Sequence, residues 1–197
     1  MKQSLFTMEH ARQLTADTYE LVLSGDTSAI TAPGQFVNIQ LPGKFLRRPI
    51  SICTWTEDAL LLLVRVVGEG THDLVRCVPG TELDVLSGLG NGFDLAKGGA
   101  HPILLGGGIG IAPLYGLAQR MLEAGVTPTV GLGFRSGKDA FYLEEFGKLG
   151  CRLMVATEDG SLGTKGFVTD LARHVPECGY AFVCGPTPML KAVHGLP

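Results

Sequence analysis

The chain has no apolar run approaching the roughly 20 residues that a membrane-spanning helix needs. It has no excess of basic charge, no C-x-x-C pair and no H-x-x-x-H. The first absence excludes a transmembrane helix. Sixteen Lys and Arg stand against 19 Asp and Glu, and the net charge of -3 excludes a broad face for a nucleic-acid backbone. The five cysteines, Cys53, Cys77, Cys151, Cys178 and Cys184, are odd in number. The nearest pair, Cys178 and Cys184, has a spacing of C-x5-C, which metal sites do not ordinarily use. Such a set suits a reducing compartment better than a disulfide frame. The five histidines are scattered and read as surface or satisfied core residues. The opening "MKQSLFTMEHARQL" carries a charge every few residues, unlike a signal peptide. These absences predict a cytoplasmic chain with no nucleic-acid or membrane partner.

Glycine, by contrast, is abundant, with 28 residues. It clusters in "GEG", "SGLGNG", "LLGGGIG", "GLGFRSG" and "EDGSLGTKG", between apolar runs. That arrangement marks tight turns or backbone that approaches something closely. The first half of the chain reads as strands. "TYELVLS" and "FVNIQL" alternate apolar with polar residues, "RRPISICTW" and "ALLLLVRVV" are extended and apolar, and "ELDVLS" alternates again. Short strands at turn-bounded spacing predict an antiparallel sandwich or barrel, with a short helix near "THDLVRC". After "NGFDLAKGGAH" the rhythm becomes strand then helix, repeatedly, which predicts a doubly wound parallel α/β sheet with helices on both faces. The expected division is 1–97 for the barrel and 98–197 for the α/β domain.

Three stretches carry candidate chemistry. In "LLGGGIGIAPL" a strand ends at Leu105, and Gly106, Gly107, Gly108 and Gly110 lead into a helix with Pro113 in its first turn. Proline costs nothing there. Glycines at such a turn bring a bare helix N-terminus up to an anion, typically a dinucleotide pyrophosphate. The pattern is not G-x-G-x-x-G, which disfavours an ordinary Rossmann dehydrogenase. In "LRRPISI", Arg48 is a fixed cation followed by Pro49, which cannot donate to a ladder, so a strand edge would be open to a ligand. Arg48 would hold a phosphate and Ser51 would meet a heterocycle; the alternative is a solvated arginine on an edge strand. In "RVVGEGTHDL", Gly70 and Thr71 open a short helix, either to offer N–H groups to a diphosphate or merely to cap the helix with Thr71.

Together, in this order, these stretches resemble the ferredoxin reductase-like flavoproteins, in which an FAD-binding barrel precedes a nicotinamide-binding α/β domain. The flavin motif R-x-x-S is matched by Arg48-Pro49-Ile50-Ser51, and the closing C-G-P by Cys184-Gly185-Pro186. Within that superfamily "RRPISI", "GEGTHDL", "LGNGF", "LLGGGIGIAPL", "GFRS", "DGSLGTKGFVTD" and "CGPTPMLKAV" are similar to the electron-transfer subunit of class 1B dihydroorotate dehydrogenase. Ile50 stands where many superfamily members have an aromatic residue. "LGNGF" separates the chain from small subunits of ferredoxin-dependent NADP reductases.

The resemblance implies roles. Arg48 would neutralise the FAD diphosphate, Gly70 and Thr71 would donate N–H groups to it, and Ser51 would sit near the isoalloxazine. Leu63, Val64 and Arg65 would line the flavin. Gly107, Gly108, Ile109 and Gly110 would take the NAD pyrophosphate. Phe134 and Arg135 would lie near its adenosine end, with Asp159 and Gly160 in the same cleft, and Cys184, Gly185 and Pro186 would border the nicotinamide. Hydride would pass between nicotinamide and flavin with no general base. The partner would be an FMN-containing dihydroorotate dehydrogenase catalytic subunit, in a heterotetramer that serves pyrimidine synthesis.

That family also carries a C-terminal segment whose four cysteines bind a two-iron two-sulfur cluster. Nothing follows Pro197 here, and the five cysteines do not supply the ligand pattern. A truncated product and a natural variant without the cluster are both compatible with that. Two other functions also remain open on sequence alone: a free-standing NAD(P)H-dependent flavin or ferredoxin reductase, and a non-catalytic flavin-binding assembly module.

Overall fold

The computed structural model describes residues 1–175 and 178–196. The chain divides into two compact units, Met1–Phe93 and Asp94–Pro197, so the boundary falls just before the expected one. Among the described residues no helix is long and apolar enough to cross a membrane.

The first unit is a closed six-stranded barrel. Its strands are β1 (Lys2–Gln13), β2 (Thr18–Gly25), β3 (Phe36–Gln40), β4 (Arg48–Trp55), β5 (Ala59–Arg65) and β6 (Glu82–Leu89), with helix α1 (Glu69–Leu74) between β5 and β6. Neighbours run β1-β2-β5-β4-β3-β6, every pairing is antiparallel, and β6 closes back onto β1. Period-two alternation builds the interior: Leu21 and Leu23 from β2, Val37 and Ile39 from β3, Leu60, Leu62 and Val64 from β5, and Leu83 and Val85 from β6 are buried in one cluster. Phe6 and Met8 of β1 join them. Closure gives every barrel strand a neighbour on both sides, which reduces the usual aggregation hazard of an antiparallel sheet.

The second unit is a five-stranded parallel sheet in the order β10-β9-β8-β7-β11. The strands are β7 (Pro102–Gly107), β8 (Thr129–Phe134), β9 (Arg152–Thr157), β10 (Thr164–Lys165) and β11 (Tyr180–Cys184). The helices are α2 (Ile111–Glu123), α3 (Leu143–Lys148), α4 (Val168–Ala172) and α5 (Thr187–His194). Ile103 and Leu105 of β7 pack with Val168 and Leu171 of α4. Gly106, the next residue after Leu105, faces Ile111 and Leu114 of α2. Alternate residues of one strand thus meet helices on opposite faces, which is the doubly wound arrangement. The chain steps outward from β7 to β8, β9 and β10, then returns to β7's other side as β11. Strand order therefore reverses between β7 and β11, and in open α/β sheets the crevice at such a reversal, outside the strands' carboxyl ends, is where ligands bind.

One side chain ties the barrel where β4 begins. Arg47 forms a two-pronged contact with Asp84, Nη1 to Oδ1 at 3.1 Å and Nη2 to Oδ2 at 2.9 Å, and its Nη1 also donates to the Asp84 carbonyl at 3.0 Å and the Asn38 carbonyl at 3.3 Å. β3 and β6 are thereby stitched to the turn that enters β4. The Arg47 guanidinium beside Asp84 holds its carboxyl below the ordinary value. A depressed carboxyl stabilises the folded state above its unfolded pKa and loses that contribution as pH falls through the folded value. Arg47→Met is expected to lower unfolding free energy by about 1–3 kcal/mol at neutral pH. Denaturant titrations should show the difference from the parent shrinking as pH drops below about 4; a difference that does not change with pH would contradict this.

Candidate functional site

In the barrel unit the two adjacent arginines have separate work. Arg47 is spent on Asp84 and backbone carbonyls, as above. Arg48, the first residue of β4, donates from Nη1 to the Leu46 carbonyl at 2.6 Å, and no carboxylate is paired with it among the described residues. Its guanidinium lies directly on Gly70 in the first turn of α1, where a Cβ would overlap the Nε atom. Glycine at 70 is therefore a matter of space. A cation without a counter-ion is held against the start of a helix, and both favour an anion at that spot.

Thr71 supports this place through its hydroxyl, which accepts from Val67 N at 2.9 Å and Gly68 N at 3.2 Å and donates to the Gly68 carbonyl at 3.0 Å. The side chain is thus the helix cap, and only the backbone N–H of Thr71 is left for a ligand. The first α1 amide to reach a carbonyl is that of His72, onto Gly68 at 3.0 Å. The N–H groups of Glu69, Gly70 and Thr71 belong to the orphan donors of a helix start.

β4 sits inside the closed barrel, yet it is not laddered along its whole length. Arg48 to Ser51 pair with β3, from Ile39 to Phe36, whereas the pairing with β5 begins at Ile52. The edge predicted from Pro49 is a local opening, one half-strand long, beside Arg48. Along it Ile50 points into the barrel core and Ser51 is exposed on the outer face. On β5, Leu63 is buried, Val64 belongs to the interior cluster and Arg65 is half-exposed, with Nε donating to Asp17 at 2.7 Å. Val64 can therefore offer a ligand only its backbone.

In the α/β unit the carboxyl ends of β7 and β11 lie side by side, with Gly106 opposite Cys184. A Cβ on Gly110 would fall onto the Cys184 carbonyl and 2.8 Å from the Gly185 Cα. The glycine-rich turn and the Cys184-Gly185-Pro186 turn are thus packed backbone to backbone. Gly108 has a φ of 53°, the left-handed region that glycine enters without penalty. Neither α2 nor α5 has a side-chain cap; the Ile111 N–H donates to the Gly108 carbonyl, and Pro113 and Pro188 have no N–H to offer. Burial pushes the Cys184 thiol up from its ordinary pKa.

The remaining predicted residues cluster at the ends of β8 and β9. Phe134 is buried and meets the Phe141 ring edge-on at a centroid distance of 5.7 Å, while Arg135 is exposed. The Asp159 N–H donates to the Arg135 carbonyl at 3.2 Å, which binds the two strand ends together. The Asp159 carboxylate accepts from Ser161 N at 2.9 Å and Ser161 Oγ at 2.6 Å, and these bonds hold it below the ordinary value. Its side chain thus closes its own turn, with Gly160 at a φ of 76°.

Among the described residues no group of three or more His, Cys, Asp and Glu side chains could hold a metal. Cys53 is buried in the barrel, and Cys151 and Cys184 have thiols raised by burial. The cysteines present do not fit an iron–sulfur cluster. Two features escaped sequence reasoning. The assignment of Arg47 to structure and Arg48 to the site needs the fold, because the two are chemically identical. Met189, whose sulfur sits against the glycine turns, reads in sequence as an ordinary helix residue. Gly110→Ala is expected to cost the α/β unit about 1–3 kcal/mol by forcing the two turns apart; thermal unfolding unchanged from the parent would contradict that packing.

A family model described as an oxidoreductase NAD-binding domain matches residues 104–195. The dihydroorotate dehydrogenase B (NAD(+)) electron transfer subunit of Listeria monocytogenes is 41% identical over 201 residues, covering 98% of this chain and 78% of the relative. The subunit of the same name from a Geobacillus species is 42% identical, with the same coverage. Among solved structures, that of an NADH-dependent reduced ferredoxin-NADP oxidoreductase superposes with a TM-score of 0.86 at 32% identity, over 95% of this chain and 70% of that one. Barrel, reversed parallel sheet and glycine turns are what such a reductase-like fold is built from, and the chain belongs to the family of dihydroorotate dehydrogenase B (NAD(+)) electron transfer subunits.

Proposed function

We propose that this oxidoreductase chain holds FAD on its barrel unit and NAD on its α/β unit. In this role it carries electrons from dihydroorotate oxidation, performed on an FMN-containing catalytic subunit in a heterotetramer, to NAD. The observation that carries the proposal is the likeness, along 98% of the chain, to subunits of that name. Two structural features support the cofactor set. One is the Arg48 cation seated on Gly70 beside an open half-strand; the other is the reversal of strand order between two glycine turns.

Such a pair of cofactors supplies hydride exchange between nicotinamide and flavin, with a flavin able to part with electrons singly. The protein's own part is binding and alignment. Arg48 would offset diphosphate charge, aided by the N–H groups of Gly70 and Thr71. Ser51 would present a hydroxyl to the flavin ring from the outer face of β4, with Pro49 and Ile50 shaping the strand beneath it. Leu63, the Val64 backbone and Arg65 would continue that surface. Gly107, Gly108, Ile109 and Gly110 would place the α2 amides at the NAD pyrophosphate. Phe134 and Arg135 would border the adenosine, with Asp159 and Gly160 shaping the neighbouring turn. Cys184, Gly185 and Pro186 would border the nicotinamide.

Two measurements test this. Co-expressed with an FMN-bearing dihydroorotate dehydrogenase catalytic subunit, the chain should co-purify with it and carry FAD; a colourless chain that binds neither would contradict the proposal. Arg48→Ala should weaken FAD binding about 10- to 100-fold, the worth of a charge-assisted contact. Gly70→Ala, which displaces the Arg48 guanidinium, should reproduce most of that loss, and thermal unfolding of the FAD-free protein should stay close to the parent in both variants. Unchanged FAD affinity in Arg48→Ala would remove the barrel site.

A further inference from the structure

The two turns at the reversal point share a third neighbour, the Met189 side chain. A Cβ on Gly107 would overlap the Met189 sulfur, and a Cβ on Gly185 would lie 2.6 Å from Sδ and 3.1 Å from Cε. The latter would also lie 3.2 Å from Gly107 N. One thioether therefore fills the space above both glycines, where each would otherwise carry its own side chain. Gly107 ends β7 and Gly185 follows β11, so the sulfur bridges the exits of the two strands between which the sheet reverses.

Met189 also governs where α5 begins. No residue of α5 is fully buried. Met189 and Val193, one helical turn apart, are the α5 residues that pack against the apolar cluster beneath the sheet. The first turn of α5, with its uncapped N–H groups, is thus held to the glycine turns through Met189.

The residue type fits the task. A thioether is unbranched at sulfur, and its long, soft C–S bonds let it slip between two backbones. Leucine would place two methyl groups near that level, and alanine would leave the space empty.

We propose that Met189 is a positioning residue for the dinucleotide: its thioether sets the distance of the Gly107 turn, which would take the pyrophosphate, from the Gly185 turn, which would border the nicotinamide. It touches neither cofactor; it acts through the two backbones it spaces. The inference rests on the assignment of this crevice to NAD.

The test compares three ligands on the purified FAD-loaded chain: NADH, ADP-ribose, which keeps the pyrophosphate, and AMP, which lacks it. Met189→Ala should weaken NADH and ADP-ribose about tenfold each, the scale of a small misplacement of gripping groups, and leave AMP unchanged. A filling role alone would weaken all three together or none, and either result would overturn the proposal. Adding Gly107→Ala should weaken pyrophosphate ligands more in the parent than in Met189→Ala, because the new methyl takes the space the sulfur vacated. Strict additivity of the two substitutions would also overturn it. If the parent chain binds neither NADH nor ADP-ribose, the NAD assignment itself fails. If the parent binds both and Met189→Ala binds them equally well, only the positioning role fails.

Discussion

Backbone contact between the glycine-rich turn after β7 and the Cys184-Gly185 turn after β11 is the constraint that shapes the crevice of the α/β unit. The strands are neighbours in register, Gly106 opposite Cys184, and their exits touch because Gly110 has no side chain. That closeness brings the starts of α2 and α5 to one crevice, each without a side-chain cap. Cys184, at the end of β11, is partly buried, which raises its thiol above the ordinary pKa.

The barrel unit solves a different problem, how to hold a bare cation in place. Arg47 and Arg48 are adjacent and identical in chemistry, yet the fold directs them apart. Arg47 is saturated by Asp84 and two carbonyls, and so fixes the entry to β4. With that entry fixed, Arg48 can lie across Gly70 without a carboxylate of its own. A cation in that setting is best satisfied by an anion from outside the protein.

Much of this could be read from the chain. Period-two alternation in "FVNIQL" and "ELDVLS" identified barrel strands, and glycines at the end of "PILL" identified the turn before α2. β1 was not legible, although it is the longest strand. Only Phe6 and Met8 of its twelve residues are buried, and its pairing shifts between Met8 and His10, which breaks the alternation that marks a strand. The short β10 is also silent, because both of its residues are exposed. At the candidate site, motif order nominated the stretches, and local context could not reveal what each side chain does. The Thr71 hydroxyl turns out to cap its helix, and the Asp159 carboxylate closes its own turn. Those uses depend on hydrogen-bond partners that only the folded chain brings near. The same holds for Met189, whose neighbours Gly107 and Gly185 are contributed by two strand ends.

The central claim is that one chain holds both an FAD and an NAD site and exchanges hydride between their ligands. Anaerobic titration of the FAD-loaded protein with NADH tests it most directly, followed by the bleaching of the oxidised flavin's visible absorption. The account predicts rapid bleaching complete at about one NADH per FAD, since each ligand carries one hydride equivalent. A chain that retains FAD but shows no bleaching with excess NADH would contradict it.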